Sequence, residues 1–291
     1  MIQFTAARHD HTFTDARGVT IHYYQWKAGK PRGVVHLLHG LGEYAIRYER
    51  LAQALVRAGF TVYADDHRGH GQTGVEQHGG VLDRLGRLGP GGMNATVDAV
   101  YHLSGLIRRE NPGIPLVLFG HSWGSIIAQK LLNEHAESYD AVVLSGTALR
   151  TVRHMKGRLL NAKHKHLGTT GHEWLSRDET IAAAFLEDKL TFEADAITLF
   201  GPADAVRLLG RPAKNLSHDV PVLIQVGSDD SFGGSRSAEL LAEAYLARSK
   251  LTDVELIIYD DARHEVYNET NYLDVTADLV RWLGERIPPA R

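Results

Sequence analysis

The chain has 291 residues, 43% apolar and 23% charged, a globular balance that excludes disordered and fibrous classes and fits one α/β domain carrying an insertion. Its 32 Lys and Arg against 35 Asp and Glu give a net charge of −3, which leaves no general basic field to hold nucleic acid. Cysteine is absent, so disulfides, thiolate metal sites and a cysteine nucleophile are excluded together.

The first ten residues, Met1 to Asp10, lack a basic stretch followed by an apolar one, and no run of about 18 apolar residues occurs, so a cytoplasmic protein is expected. Sequons at Asn94, Asn215 and Asn268 then carry no weight. Val19 to Trp26 alternates as a half-buried antiparallel strand does. Val34–Leu38, Leu116–Phe119, Ala141–Leu144 and Val222–Val226 are short, continuously apolar runs, the pattern of strands covered on both faces. Phe60–Ala64 and Val254–Tyr259 are weaker members of that set. Helix-period segments lie between them at Tyr48–Ala58, Ala95–Arg109, Ser125–Glu134, Ser237–Ala247 and Tyr272–Glu285. Strand and helix alternate, which predicts a mostly parallel sheet with helices on both faces. Residues 148–216 break the alternation and read as a helical cap inserted into a core made of residues 1–147 and 217–291.

Gly120-His121-Ser122-Trp123-Gly124 follows one apolar run and opens a helical segment, a G-x-S-x-G pattern in strand–turn–helix context. Such a turn needs its glycines where neighbouring chain leaves no room for a side chain, and it lifts the Ser122 hydroxyl above the sheet as a nucleophile. A serine hydroxyl is weak near neutral pH, so a histidine base and an orienting carboxylate must follow in the order Ser, acid, His. Gly227-Ser228-Asp229-Asp230 lies just past a buried strand, giving Asp230 as the acid and Asp229 as the alternative; His264, past the last strand, is the base. The backbone N–H groups of Trp123 and of Leu41, in His39-Gly40-Leu41-Gly42-Glu43, are the expected oxyanion donors.

Those segments, with Arg47-Tyr48, Asp66-His67-Arg68-Gly69-His70-Gly71 and Ala262-Arg263-His264-Glu265 with Asn268-Glu269, resemble the α/β-hydrolase fold. More narrowly, they are similar to the monoacylglycerol lipase and lysophospholipase branch, often termed serine aminopeptidase-like. The resemblance implies a serine hydrolase of carboxylic esters working without cofactor or metal on a small ester with an acyl chain. Trp123 and Ser125 depart from the methionine and second glycine usual in that branch, and a Trp-Gly-Ser run also occurs in proline iminopeptidase-like members. An aminopeptidase would need a cap carboxylate to hold an amine, with Glu173, Glu179 and Glu187 available. A carbon–carbon bond hydrolase and a non-catalytic small-molecule receptor share the fold.

Two patterns are set aside. Gly69 to Gly74 spells G-x-G-x-x-G, but it is separated from its strand, and the adjoining Val75 to Gly80 reads as unable to open a helix. His164-Lys165-His166 has flanking lysines and reads as a solvated cap face, not a metal site. Arg150, Arg153, Lys156, Arg158, Lys163 and Lys165 occur with no acid among them, a solvated run that also offers weak contact with an anionic membrane surface. Trp174, Phe185, Leu186, Leu190, Phe192, Leu199 and Phe200 supply apolar material for an acyl pocket or for burying the cap.

Overall fold

Uninterrupted apolar runs have no polar face to offer water, and the sheet is built around them. The computed structural model describes residues 5–288; Met1–Phe4, part of the opening segment read above for a leader, and Pro289–Arg291 lie outside the described residues. The strands are β1 Arg8–Thr14, β2 Thr20–Trp26, β3 Gly33–Leu38, β4 Phe60–Asp65, β5 Leu116–His121, β6 Ala141–Ser145, β7 Val222–Gly227 and β8 Val254–Tyr259. The helices are α1 Glu49–Arg57, α2 Gly71–Gln77, α3 Gly92–Glu110, α4 Trp123–His135, α5 Glu179–Glu187, α6 Ala196–Val206, α7 Gly234–Ala244 and α8 Tyr272–Arg286. The sheet order is β1-β2-β4-β3-β5-β6-β7-β8, with β3 to β8 parallel and β1 and β2 antiparallel at one edge.

Every residue of β3, β4, β5, β6 and β7 is buried. The two-residue period then divides the core. Leu116 and Leu118 of β5 join the layer of Val100, Leu103, Ile127 and Leu131 from α3 and α4, while Val117 and Phe119 join that of Leu51, Leu55, Leu279 and Trp282 from α1 and α8. Helices on both faces hide the parallel strands, and the loops after β3, β5, β7 and β8 leave the same end of the sheet. Between β6 and β7, residues 146–221 run without a strand and contain α5 and α6, the latter broken at Gly201 and Pro202.

Three readings need correction. Strand β1 was not foreseen: its sequence RHDHTFT is polar and largely exposed, as an edge strand allows. Helix α2 does open inside the G-x-G-x-x-G pattern, because the Asp66 carboxylate reaches forward to accept from Gln72 N at 2.7 Å. That carboxylate also fills the space a Cβ on Gly71 would need, so this helix start holds the chain's own anion, not a phosphate. The basic run is not wholly solvated either: Arg150 and His164 are buried.

Arg68, from the same segment, is fully buried, with its guanidinium on Asp15, Leu88 O and Pro90 O. Asp15→Ala leaves that cation without its counter-charge and is expected to cost roughly 3–5 kcal/mol. Denaturant titration checks this; a midpoint like the parent's contradicts it.

Candidate active site

Ser122 sits where β5 turns sharply into α4, at φ 51° and ψ −121°. That positive φ is strained for a side-chain-bearing residue, and the packing around it enforces the turn. A Cβ on Gly120 would lie 2.5 Å from Gly124 O, and one on Gly124 would lie 2.3 Å from Leu38 O, so both glycines are sterically required.

The loop after β7 brings Asp230 to the loop after β8. His264 Nδ1 and Asp230 Oδ1 are 2.9 Å apart, both residues buried, and Phe232 N donates to the same oxygen at 2.8 Å. The Trp174, Phe232 and His121 rings enclose the imidazole. Burial works to lower the His264 value, but the Asp230 carboxylate, with Glu265 and Glu43 behind it, brings it above the ordinary imidazole value. Its Nε2 is buried without a partner among the described residues, and it borders the same chamber as Ser122. The chain brings the two side chains together without joining them by a hydrogen bond, a common arrangement before substrate binds. Asp229 points elsewhere, to His164 Nε2 at 2.8 Å and to Lys163.

The loop after β3 completes this end. His39 is neutral at working pH because burial, reinforced by His67 and His70, lowers it far below the usual value. Its Nε2 accepts from His67 N at 3.0 Å, which leaves Nδ1–H to donate to Gly40 O at 2.7 Å. A trans peptide points its C=O and N–H in opposite directions, so holding Gly40 O also fixes the direction of Leu41 N–H. Neither Leu41 N nor Trp123 N has an acceptor among the described residues, and both residues line a chamber with Ser122. Two free amides beside a serine can receive a developing oxyanion.

Two chambers meet at Ser122. One is apolar, walled by Leu41, Ile126, Met155, Leu160, Leu208 and Phe232. The other is smaller and mixed: Glu43, Glu265 and His264 stand at its border, but Leu41, Leu175, Trp174 and Phe185 line it as well. Of the seven cap residues named from sequence as acyl lining or cap-burying material, Trp174 and Phe185 border the second chamber, none borders the apolar one, and Leu186 is exposed. Met155 and Leu208 were missed because isolated apolar residues in irregular chain carry no period. Glu173, Glu179 and Glu187 border neither chamber; Glu173 is spent on Asn161 and Thr170.

Residues 29–271 match the family described as serine aminopeptidase, S33. The chain belongs to this family. Along the S33 frame it is 30% identical to a monoacylglycerol lipase of Mycolicibacterium smegmatis, covering 96% of this chain and 98% of that one. It is also 30% identical to monoglyceride lipase of Homo sapiens, covering 91% and 87%. Among solved structures, a carboxyl esterase from Bacillus coagulans in complex with glycerol superposes with TM-score 0.82 at 22% identity, covering 97% of this chain and all of that one. A soluble variant of monoglyceride lipase from Saccharomyces cerevisiae in complex with a substrate analog gives 0.78 at 20%, covering 100% and 98%. These two likenesses show the α/β-hydrolase fold. This S33 member is a serine ester hydrolase.

Proposed function

We propose that the chain hydrolyses monoacylglycerols in two steps at Ser122. His264 Nε2 takes the Ser122 proton as Oγ attacks the ester carbonyl, and the oxyanion is received by Leu41 N–H and Trp123 N–H. The ester C–O bond then breaks, glycerol leaves with the proton from His264, and water repeats the sequence to release the fatty acid. Asp230 holds the imidazole with Nδ1–H toward itself and steadies the imidazolium. The observation that carries the reading is the buried Asp230–His264 pair, whose Nε2 has no partner among the described residues and whose histidine lines a chamber with Ser122. The apolar lining beside Ser122 has the character that an acyl chain requires. The relatives named monoacylglycerol and monoglyceride lipase support the same substrate.

In this reading residues 148–216 act as a cap over the site, and the location is cytoplasmic. Arg153, Lys156, Arg158, Lys163 and Lys165 are exposed on the cap beside Val152 and Leu159, which are 82% and 75% exposed. Basic and apolar groups presented together favour an anionic lipid surface. Among the described residues no helix is long and apolar enough to cross a membrane.

The test compares a monoacylglycerol with the methyl ester of the same acid, each in neutral and in anionic vesicles. The expected result is at least about a tenfold preference in kcat/KM for the glycerol ester, with salt-sensitive acceleration on anionic vesicles. Equal rates on both esters would overturn the leaving-group assignment, and indifference to vesicle charge would overturn the membrane contact.

A further inference from the structure

The loop after β3 and the loop after β8 are joined by a buried ionic bridge that the two-step reaction above does not use. Arg47 donates to Glu43 Oε2 at 2.5 Å and, through both terminal nitrogens, to Glu265 at 2.9 and 3.0 Å, a partner 218 residues away. Glu43 spends its other oxygen on Gly40 N at 2.6 Å and on Tyr48 O–H at 2.7 Å. Glu265 follows His264 directly and also accepts from Asn268 at 2.7 Å. Every contact to the two carboxylates comes from a donor, as ionised groups require. A bridge that only tied two loops would need one carboxylate per guanidinium. Here two face one, so with both carboxylates ionised the bridge carries an excess negative charge.

We propose that Arg47 is a positioning residue, with Glu43 and Glu265, that fixes the oxyanion loop against the base loop and keeps a net negative charge beside His264 to stabilise its imidazolium. Geometry carries both halves. His39 holds the C=O of Gly40, in the peptide that presents Leu41 N–H, and Glu43 holds the N–H of Gly40, in the peptide just before it, so two successive peptides of the oxyanion loop are fixed. Arg47 then pins Glu43 to the backbone that carries His264. Asp230 from the loop after β7 and His121 from the end of β5 pack on the imidazole, and Glu265 from its own loop and Glu43 from the loop after β3 line the same cavity as His264. His121 stays uncharged, since burial, with His264 and Arg47 nearby, takes it well below the usual value. Burial alone would raise Glu265, but Arg47 brings it below its ordinary value; burial raises Glu43. Both carboxylates favour the charged form of His264 after Asp230.

The inference rests on the serine-hydrolase reading, so its test avoids any particular ester. The rate of fluorophosphonate labelling is measured from pH 5 to 9 for the wild type and for Glu43→Gln, Glu265→Gln and Arg47→Lys. Labelling needs neutral His264, so its acid limb reports the imidazole. Each Glu→Gln change removes one negative charge while keeping an acceptor, and each is expected to move the limb down by about half a pH unit or more. Arg47→Lys keeps the charge but loses the two-pronged geometry; it is expected to slow labelling about tenfold with the limb in place. A merely structural role would change rate or stability without moving the limb. Limbs unmoved in both Gln variants would overturn the proposal. No labelling of the wild type would overturn the hydrolase reading beneath it. Should one Gln variant fail to fold, the other decides.

Discussion

Ser122→Ala is expected to fold like the parent and to lose roughly three to six orders of magnitude in ester turnover. The loss is large because in the proposed mechanism serine, histidine and aspartate act as one unit, and without Oγ no acyl-enzyme forms. Stability is spared because Ser122 Oγ makes no hydrogen bond among the described residues, while the strained turn depends on Gly120 and Gly124. Initial rates on a p-nitrophenyl ester, with a thermal melt beside them, check both halves. Activity near the parent's would remove Ser122 from the mechanism.

Asp230→Asn is expected to lower turnover by about 10⁴ with little change in KM. In the proposed mechanism the carboxylate holds His264 with its proton on Nδ1, leaving Nε2 free to accept from serine. An asparagine keeps its amide oxygen there, because Phe232 N–H donates to the same atom, so what is lost is the negative charge that steadies the imidazolium. The neighbouring acid cannot substitute: Asp229 is committed to His164 and Lys163. A parallel Asp229→Asn variant separates the two carboxylates. Its turnover is expected to stay within about tenfold of the parent, since it touches the base only through the shared loop. A loss in Asp229→Asn as large as in Asp230→Asn would contradict the assignment.

The parts of the molecule legible in sequence are those whose burial is total. Runs such as Leu116–Phe119 and Val222–Val226 are apolar throughout because both faces are covered, and no tertiary knowledge is needed to read them. Strand β1 was illegible for the opposite reason: an exposed edge strand needs no apolar period. Helix α2 was missed because GQTGVEQ holds two glycines in seven residues, and its start depends on a carboxylate six positions before Gln72. At the site, Ser122 stands out because the turn imposes its glycines locally. Glu43, Arg47 and Glu265 were visible as motif residues without a role, since an ion pair spanning 218 residues leaves no trace in spacing. His164 was misread because a histidine among lysines looks solvated until the fold sets Asp229 beside it. The apolar chamber was the least legible element, being assembled from single residues on separate loops.

The most direct measurement is peptide mass spectrometry after treatment with a fluorophosphonate, on the wild type and on His264→Ala. The account predicts one phosphonyl adduct, on the peptide containing Ser122, that is lost or slowed by at least about a thousandfold when the imidazole is removed. An unlabelled wild type, an adduct on another residue, or labelling of Ser122 at full rate without His264 would contradict it.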